Sequence, residues 1–228
     1  MKPRRIILIR HGESEGNINK GVYARKPDYA VLLTKNGIRQ SLEVGNKIKD
    51  IIRDETFGIY YSPYFRTRQT MDNAITQLVP NVCMFKKEEP RIREQEYAGK
   101  LQSGRHDDDS EREAYGKFFY RNNGGESGAD VYDRVSDFMG TLHRDFKKTN
   151  YPENVLFFSH GMTNRIFIMK FFHFTVEEFE MWKNPRNGDL YILELAMEEG
   201  NGDKYKLITE RPKHAKGYGL TYEQTSNH

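Results

Sequence analysis

Cysteine is almost absent: Cys83 is the only one among 228 residues. An intrachain disulfide framework is therefore excluded, and a reducing compartment fits. Long apolar runs are missing too. The longest near the amino terminus, Ile6-Ile7-Leu8-Ile9, is too short for a signal peptide or a membrane span. An excess of either charge is lacking: 36 Lys and Arg face 33 Asp and Glu, and a formal net charge of +3 is too small to argue for nucleic acid, whose binders show a clustered basic face. A mild positive bias of that size favours the approach of an anionic substrate. There is no glycine-rich nucleotide loop of the Rossmann or P-loop type, no Gly-x-Ser-x-Gly and no cysteine-rich metal pattern. The seven histidines lack close metal-ligand spacing. Neither repeats nor linker-like stretches interrupt the chain. These absences predict one cytoplasmic domain over residues 1–228, needing no metal or cofactor and having neither nucleic acid nor membrane as partner. No feature of the sequence specifies an oligomeric state.

What is present is an ordinary globular mixture, with 30% charged and 13% aromatic residues. Ile6 to Ile9 has the continuous apolar character of a strand buried on both faces. Thr34 is a predicted N-cap for a helix in which Ile38, Leu42, Ile48 and Ile52 recur on one face. Residues 57–62 read as a second strand, and Pro63 introduces a helix carrying Phe65, Met71, Ile75 and Leu78. A helix over residues 130–147 would bury Val131, Val135, Phe138, Leu142 and Phe146. Val155 to Phe158 is another buried strand, followed by an apolar helix over residues 161–172. Residues 190–195 and 205–208 are predicted late strands. Residues 88–102 read as a loop, Gly124 to Gly128 as a loop capped by Ser127, and Tyr115, Phe118, Phe119 and Tyr120 as a helix packed on the core.

Alternation of strands and helices predicts an α/β fold, a three-layer α/β/α sandwich around a mainly parallel sheet. Ligands in such folds sit beyond the carboxyl ends of the strands. Arg10-His11, Ser62 to Arg66 and Ser159-His160-Gly161 each follow a predicted strand directly. They are therefore expected to meet at one rim. Arginine offers a permanently charged planar fork that matches phosphate oxygens. Neutral imidazole is a competent nucleophile at phosphorus. A lone histidine at a strand end is most often a hydrogen-bonded surface residue, but a second His-Gly pair at a second strand end changes that. A helix beginning at Gly161 adds free N–H groups and a favourable dipole for an anion. Arg66 and Arg68 are further cation candidates. A proton donor is not singled out by the residues themselves, because Glu88, Glu89, Glu94 and Glu96 share one charged stretch.

Arg10-His11-Gly12-Glu13-Ser14-Glu15-Gly16-Asn17 resembles the signature of the histidine phosphatase, or phosphoglycerate mutase-like, superfamily. The likeness continues in order through residues 62–70, Arg91 to Gln95, Gly125-Glu126-Ser127 and Ser159-His160-Gly161, spanning roughly residues 4–195. Phe118 to Arg121 and Asp130 to Arg134 are similar to a eukaryotic branch of broad-range phosphatases. The resemblance implies a phosphoglycerate mutase-like fold with a variable region at residues 97–127 and a tail at residues 211–228. It implies hydrolysis of small phosphomonoesters through a phosphohistidine on His11. Arg10, Arg66 and His160 would grip the phosphoryl oxygens with Asn17 and the backbone at Gly161. Glu94 takes the general acid and base position. Tyr23 and Arg121 would touch the rest of the substrate. A cofactor-dependent mutase is the alternative within the family. Gly16 where mutases carry tryptophan, Gln95 where they carry arginine, and the missing arginine pair near residue 121 weigh against it. Tyr97-Ala98-Gly99 departs from the common aromatic-Gly order. A non-catalytic phosphate-binding scaffold is the third reading, opposed by the presence of both His11 and Glu94.

Overall fold

The structure, a computed structural model, describes residues 2–97, 110–196 and 204–210. Ala98, Gly99 and the tail at residues 211–228 lie outside the described residues. Six strands are present: β1 (Arg5–Arg10), β2 (Phe57–Tyr61), β3 (Cys83–Glu88), β4 (Asn154–Ser159), β5 (Leu190–Ala196) and β6 (Lys204–Leu207). The helices are α1 (Glu15–Ile18), α2 (Lys35–Ile52), α3 (Phe65–Ile75), α4 (Ser110–Tyr115), α5 (Gly128–Asp145), α6 (Gly161–Phe172) and α7 (Val176–Glu180). Short 3-10 turns, among them Asp28–Ala30 and Pro90–Ile92, join them. No helix among the described residues is long and apolar enough to cross a membrane.

The strands form one sheet in the order β3-β2-β4-β1-β5-β6. The β1–β4, β2–β4 and β2–β3 pairs are parallel, and β5 and β6 add two antiparallel pairings at the far edge. Alternation along each central strand feeds two cores. Ile6, Leu8, Tyr60, Val155 and Phe157 face α5 and α6, against Val131, Val135, Phe138, Leu142 and Ile166. Ile7, Ile9, Ile59, Leu156 and Phe158 face α2 and α3, against Val44, Ile48, Ile52, Met71 and Ala74. Continuous apolar strands are thus read correctly as buried on both faces.

The structure differs from the sequence expectation in three places. Ile38 and Leu42 are exposed, and the buried face of α2 runs through Gly37, Ser41, Val44, Gly45, Ile48 and Ile52. Small residues, invisible to a hydrophobic count, occupy that face because α3 packs close: a Cβ on Gly45 would strike the Ala74 carbonyl. Strand β3 was not expected. Its lysines and glutamate suit an edge strand paired only with β2, where apolar patterning is weak. Residues 115–120 do not form a packed helix. Helix α4 ends at Tyr115, Gly116 takes a φ of +95°, and only Phe118 of the four aromatics is buried. The Ser127 cap holds, with its hydroxyl accepting from Asp130 N at 3.2 Å.

Candidate active site

Sheet register brings the three strand-end segments together. Arg10 lies opposite Ser159, and Tyr61 lies opposite Phe158. One residue further, His11 N donates to Ser159 O at 3.1 Å and Ser62 N donates to Phe158 O at 3.0 Å. His11, Ser62 and His160 therefore leave the sheet at one level. Gly12 follows because the chain there presses on the start of α2, where a Cβ would overlap the Gly37 carbonyl.

The two imidazoles meet edge to face, with ring centroids 5.2 Å apart. Both are buried, at 3% exposure for His11 and 0% for His160. The Gly12 carbonyl, 2.7 Å from His11 Nδ1, accepts the proton there and leaves the Nε2 lone pair free. Burial, reinforced by Arg66 and then Arg10, holds the His11 pKa well below its ordinary value; the Gly12 carbonyl opposes this weakly. His11 is thus neutral across the physiological range. His160 Nε2 sits 2.8 Å from Ser62 Oγ. Because Tyr64 N donates to that oxygen, we assign the Ser62 proton to His160 Nε2, which makes Nδ1 the N–H of the ring. This Nδ1 is buried and has no hydrogen-bond partner, as is Arg10 Nε. Buried polar atoms without partners are uncommon, and both of these belong to residues grouped around His11.

Arg10 is anchored through Nη1 to the Pro185 carbonyl at 2.5 Å. Burial lowers its pKa and Glu94 works the other way. Arg66 reaches the site from the first turn of α3, 4% exposed, with its guanidinium over the Tyr64 ring at 4.8 Å. Burial acts most strongly, against its charge, but Asp28 together with Tyr23 and Glu94 more than offsets this and its pKa lies above the ordinary value. Arg68 instead points outward, to an exposed pair with Glu88.

Among the four acids of the charged stretch, geometry selects Glu94. Glu88 pairs with Arg68, and Glu89 takes Arg91 at 2.7 Å. Glu96 gives its backbone N–H to Glu126. Glu94 Oε2 is 4.0 Å from His160 Nδ1, and its Oε1 accepts from Gln95 N at 3.0 Å. Burial raises its pKa, partly offset by Arg66, the Gln95 N–H and Arg10. Its loop is clamped by side chains remote in sequence. Arg134 donates to the Arg91 and Glu94 carbonyls at 2.6 and 3.1 Å and pairs with Glu126. Ser159 and Thr163 hydroxyls hold the Ile92 and Arg93 carbonyls.

The remaining expected residues divide. Gly161 opens α6, whose N-terminus has no side-chain cap; a Cβ there would press on Arg10 Nε and Asn184. Asn17 Oδ1 accepts from Ser14 N, Ser14 Oγ and Asn187 Nδ2 at 2.9, 3.0 and 3.1 Å. Tyr23 enters the site's electrostatic field: burial first, then Asp28, pushes its hydroxyl up to about 12. That hydroxyl lies against Gly16, where any Cβ would collide with it. Arg121 is more than half exposed and engaged with Asp130 at 2.6 Å and the Gly125 carbonyl; its contacts do not tie it to the histidine pair. Sequence reasoning placed the Ser62 segment at the rim but missed Asp28, Asn187 and the Arg134–Glu126 clamp. Only Ser62, at a strand end, carried a positional signal.

A rim of two histidines, two arginines and a buried carboxyl on a mainly parallel sheet is an anion-handling site of the α/β class. The structure resembles mycobacterial glucosyl-3-phosphoglycerate phosphatase complexed with VO3, at a TM-score of 0.69 and 17% identity over 92% of this chain and 100% of that one. It also resembles YhfR of Bacillus stearothermophilus, at a TM-score of 0.66 and 18% identity, covering 90% and 96% of the two chains. Residues 6–207 match the family model of the histidine phosphatase superfamily (branch 1), and the chain belongs to that superfamily. Relatives include the phosphoglycerate mutase-like protein AT74 of Arabidopsis thaliana, 36% identical over 99% of this chain and 74% of its own length. The broad-range acid phosphatase DET1 of Saccharomyces cerevisiae is 30% identical over 93% of this chain and 90% of its own.

Proposed function

We propose that the chain is a phosphatase that hydrolyses a broad range of small phosphomonoesters through a phosphohistidine on His11, within a single cytoplasmic domain. The observation that carries the reading is the tautomer lock at Gly12, which leaves a neutral, buried His11 Nε2 beside the partnerless donors of Arg10 and His160. In the first step Nε2 bonds to phosphorus and the P–O bond to the leaving group breaks. Glu94 gives its proton to the departing alkoxide. In the second, Glu94 takes a proton from water, the water oxygen bonds to phosphorus and the N–P bond breaks, releasing phosphate. Water is the sole co-reactant, so the reaction balances without a metal or cofactor. Arg10, Arg66, His160, the Asn17 amide and the N–H groups at Gly161 hold the equatorial oxygens. Fixed donors of this kind are already oriented when charge develops, and one is worth about 3 kcal/mol of barrier. Tyr23 borders the leaving-group side, and Arg121 stands further out.

Turnover of a panel of sugar phosphates, nucleotides and phosphopeptides in oxygen-18 water tests this. Free phosphate should carry one solvent oxygen for many esters, with efficiencies within about a hundredfold of one another. Transfer to a second substrate hydroxyl without free phosphate would indicate the mutase, and binding without turnover the scaffold. The yeast relative named a broad-range acid phosphatase, similar over nearly its whole length, supports the first outcome.

A further inference from the structure

Asp28 is a carboxylate where an anion is meant to bind. It sits on the 3-10 turn Asp28–Ala30, between Tyr23 and α2. Its side-chain oxygen takes Arg66 Nη1 at 2.7 Å, and its carbonyl takes the same Nη1 at 2.8 Å. The pair is deeply buried, at 4% side-chain exposure for Arg66 and 10% for Asp28. Both bonds leave from one nitrogen, so the fork of Arg66 is gripped on one side only. Asp28 also acts on Glu94, Tyr23 and Tyr64, raising the pKa of each, which puts its charge within range of the whole pocket. A buried guanidinium needs a counter-charge when no phosphate is there, and a phosphoryl group offers a better one.

Resting on the phosphate-site reading above, we propose that Asp28 is a positioning residue that competes with phosphate for Arg66. It orients the guanidinium at rest, loosens its hold when a phosphoryl group binds, and reclaims Arg66 so that product phosphate departs. A carboxylate serving only the fold would make the opposite prediction, since its loss would loosen the site and weaken every anion.

Inhibition by inorganic phosphate separates the two. Asp28→Asn keeps an oxygen for Arg66 Nη1 but removes the charge. It should bind phosphate roughly tenfold more tightly, with a lower KM and a kcat that does not rise. Asp28→Ala removes charge and acceptor together and should bind phosphate less tightly than Asp28→Asn. Asp28→Glu should return the inhibition constant toward that of the wild type. Unchanged or weakened phosphate inhibition in a folded Asp28→Asn protein overturns the proposal. The wild-type protein supplies a second reading that needs no variant to fold. Crystals soaked in phosphate should show Arg66 Nη1 farther than 2.7 Å from Asp28 Oδ1, with the guanidinium turned to the anion. An unmoved pair beside bound phosphate overturns the competition alone. Failure of phosphate to bind the wild type at all overturns the functional reading beneath it.

Discussion

The active-site rim has two halves built in different ways. His11, Ser62 and His160 are placed by backbone: their segments continue the β1–β4 and β2–β4 ladders past the last paired residue. Glu94, Asp28 and Tyr23 stand on a loop and short 3-10 turns, and side chains from elsewhere hold the Glu94 and Asp28 segments. Arg134 on α5 holds the Glu94 carbonyl, Thr163 on α6 holds Arg93, and Arg66 on α3 holds Asp28. The first half is rigid because moving it would break a buried sheet. The second is rigid only while a network of ion pairs and hydroxyls persists. On the proposed mechanism, nucleophile and phosphate grip would belong largely to the sheet, proton transfer and product release to the loops.

Changes in the sheet-borne half should act on chemistry and leave the fold intact. His11→Ala should lower turnover by at least about 10⁴-fold while the far-ultraviolet spectrum and melting transition stay close to wild type. Steady-state rates beside a thermal melt measure this directly.

Next comes Glu94, the chemical centre of the loop half. Glu94→Gln should cost about 10² to 10⁴ in kcat for alkyl phosphates. The loss should be smaller with p-nitrophenyl phosphate, whose leaving group needs no proton. The pH profile sharpens the assignment. His11, with its depressed pKa, remains neutral and nucleophilic down into acid. Glu94 must be protonated for the first step, so activity is present below its pKa and lost as pH rises through it. Burial raises that pKa and carries the active range from acid toward neutrality. An amide at this position cannot titrate, so the falling limb should vanish in Glu94→Gln.

Arg134→Met tests whether the loop half depends on its clamp. It leaves Glu126, 15% exposed, without the Arg134 partner and frees two carbonyls. Glu126 keeps Arg93 as a second cation, so the change should cost about 2 kcal/mol of stability, mostly through the freed carbonyls. The kcat for alkyl phosphates should fall about tenfold, since a displaced acid loses most of its alignment. Phosphate affinity, set by the sheet half and Arg66, should change little. The smallest effect belongs to Arg68→Gln. Its exposed pair with Glu88 should contribute under about 0.5 kcal/mol, with activity unaltered in a side-by-side assay.

The same division decided what the sequence revealed. Ile6 to Ile9 and Val155 to Phe158 are apolar without interruption, so both strands and the residues at their ends were readable. Arg10, His11, Ser62 and His160 follow from strand register alone. Loop positions have no such ruler. Glu94 stood out among its neighbours only through family resemblance, because its environment is made by Arg134, Thr163 and Ser159. Asp28 carried no local pattern at all, and its partner lies 38 residues away. Strand β3 escaped notice because an edge with one neighbour tolerates lysines. Ile38 and Leu42 misled the reading of α2 because the close approaches there are made by Gly37 to the Glu13 backbone and by Gly45 to α3.

The assignment of chemistry to the sheet half turns on where phosphorus becomes attached. Glu94→Gln should slow the water step, so p-nitrophenyl phosphate should trap the phosphorylated enzyme. Mass spectrometry at neutral pH should then place one acid-labile phosphoryl group on the peptide containing His11, and phosphorus NMR should identify it as bound to Nε2. No trapped phosphoryl group, or one carried by His160 or any other residue, would contradict His11 as the nucleophile.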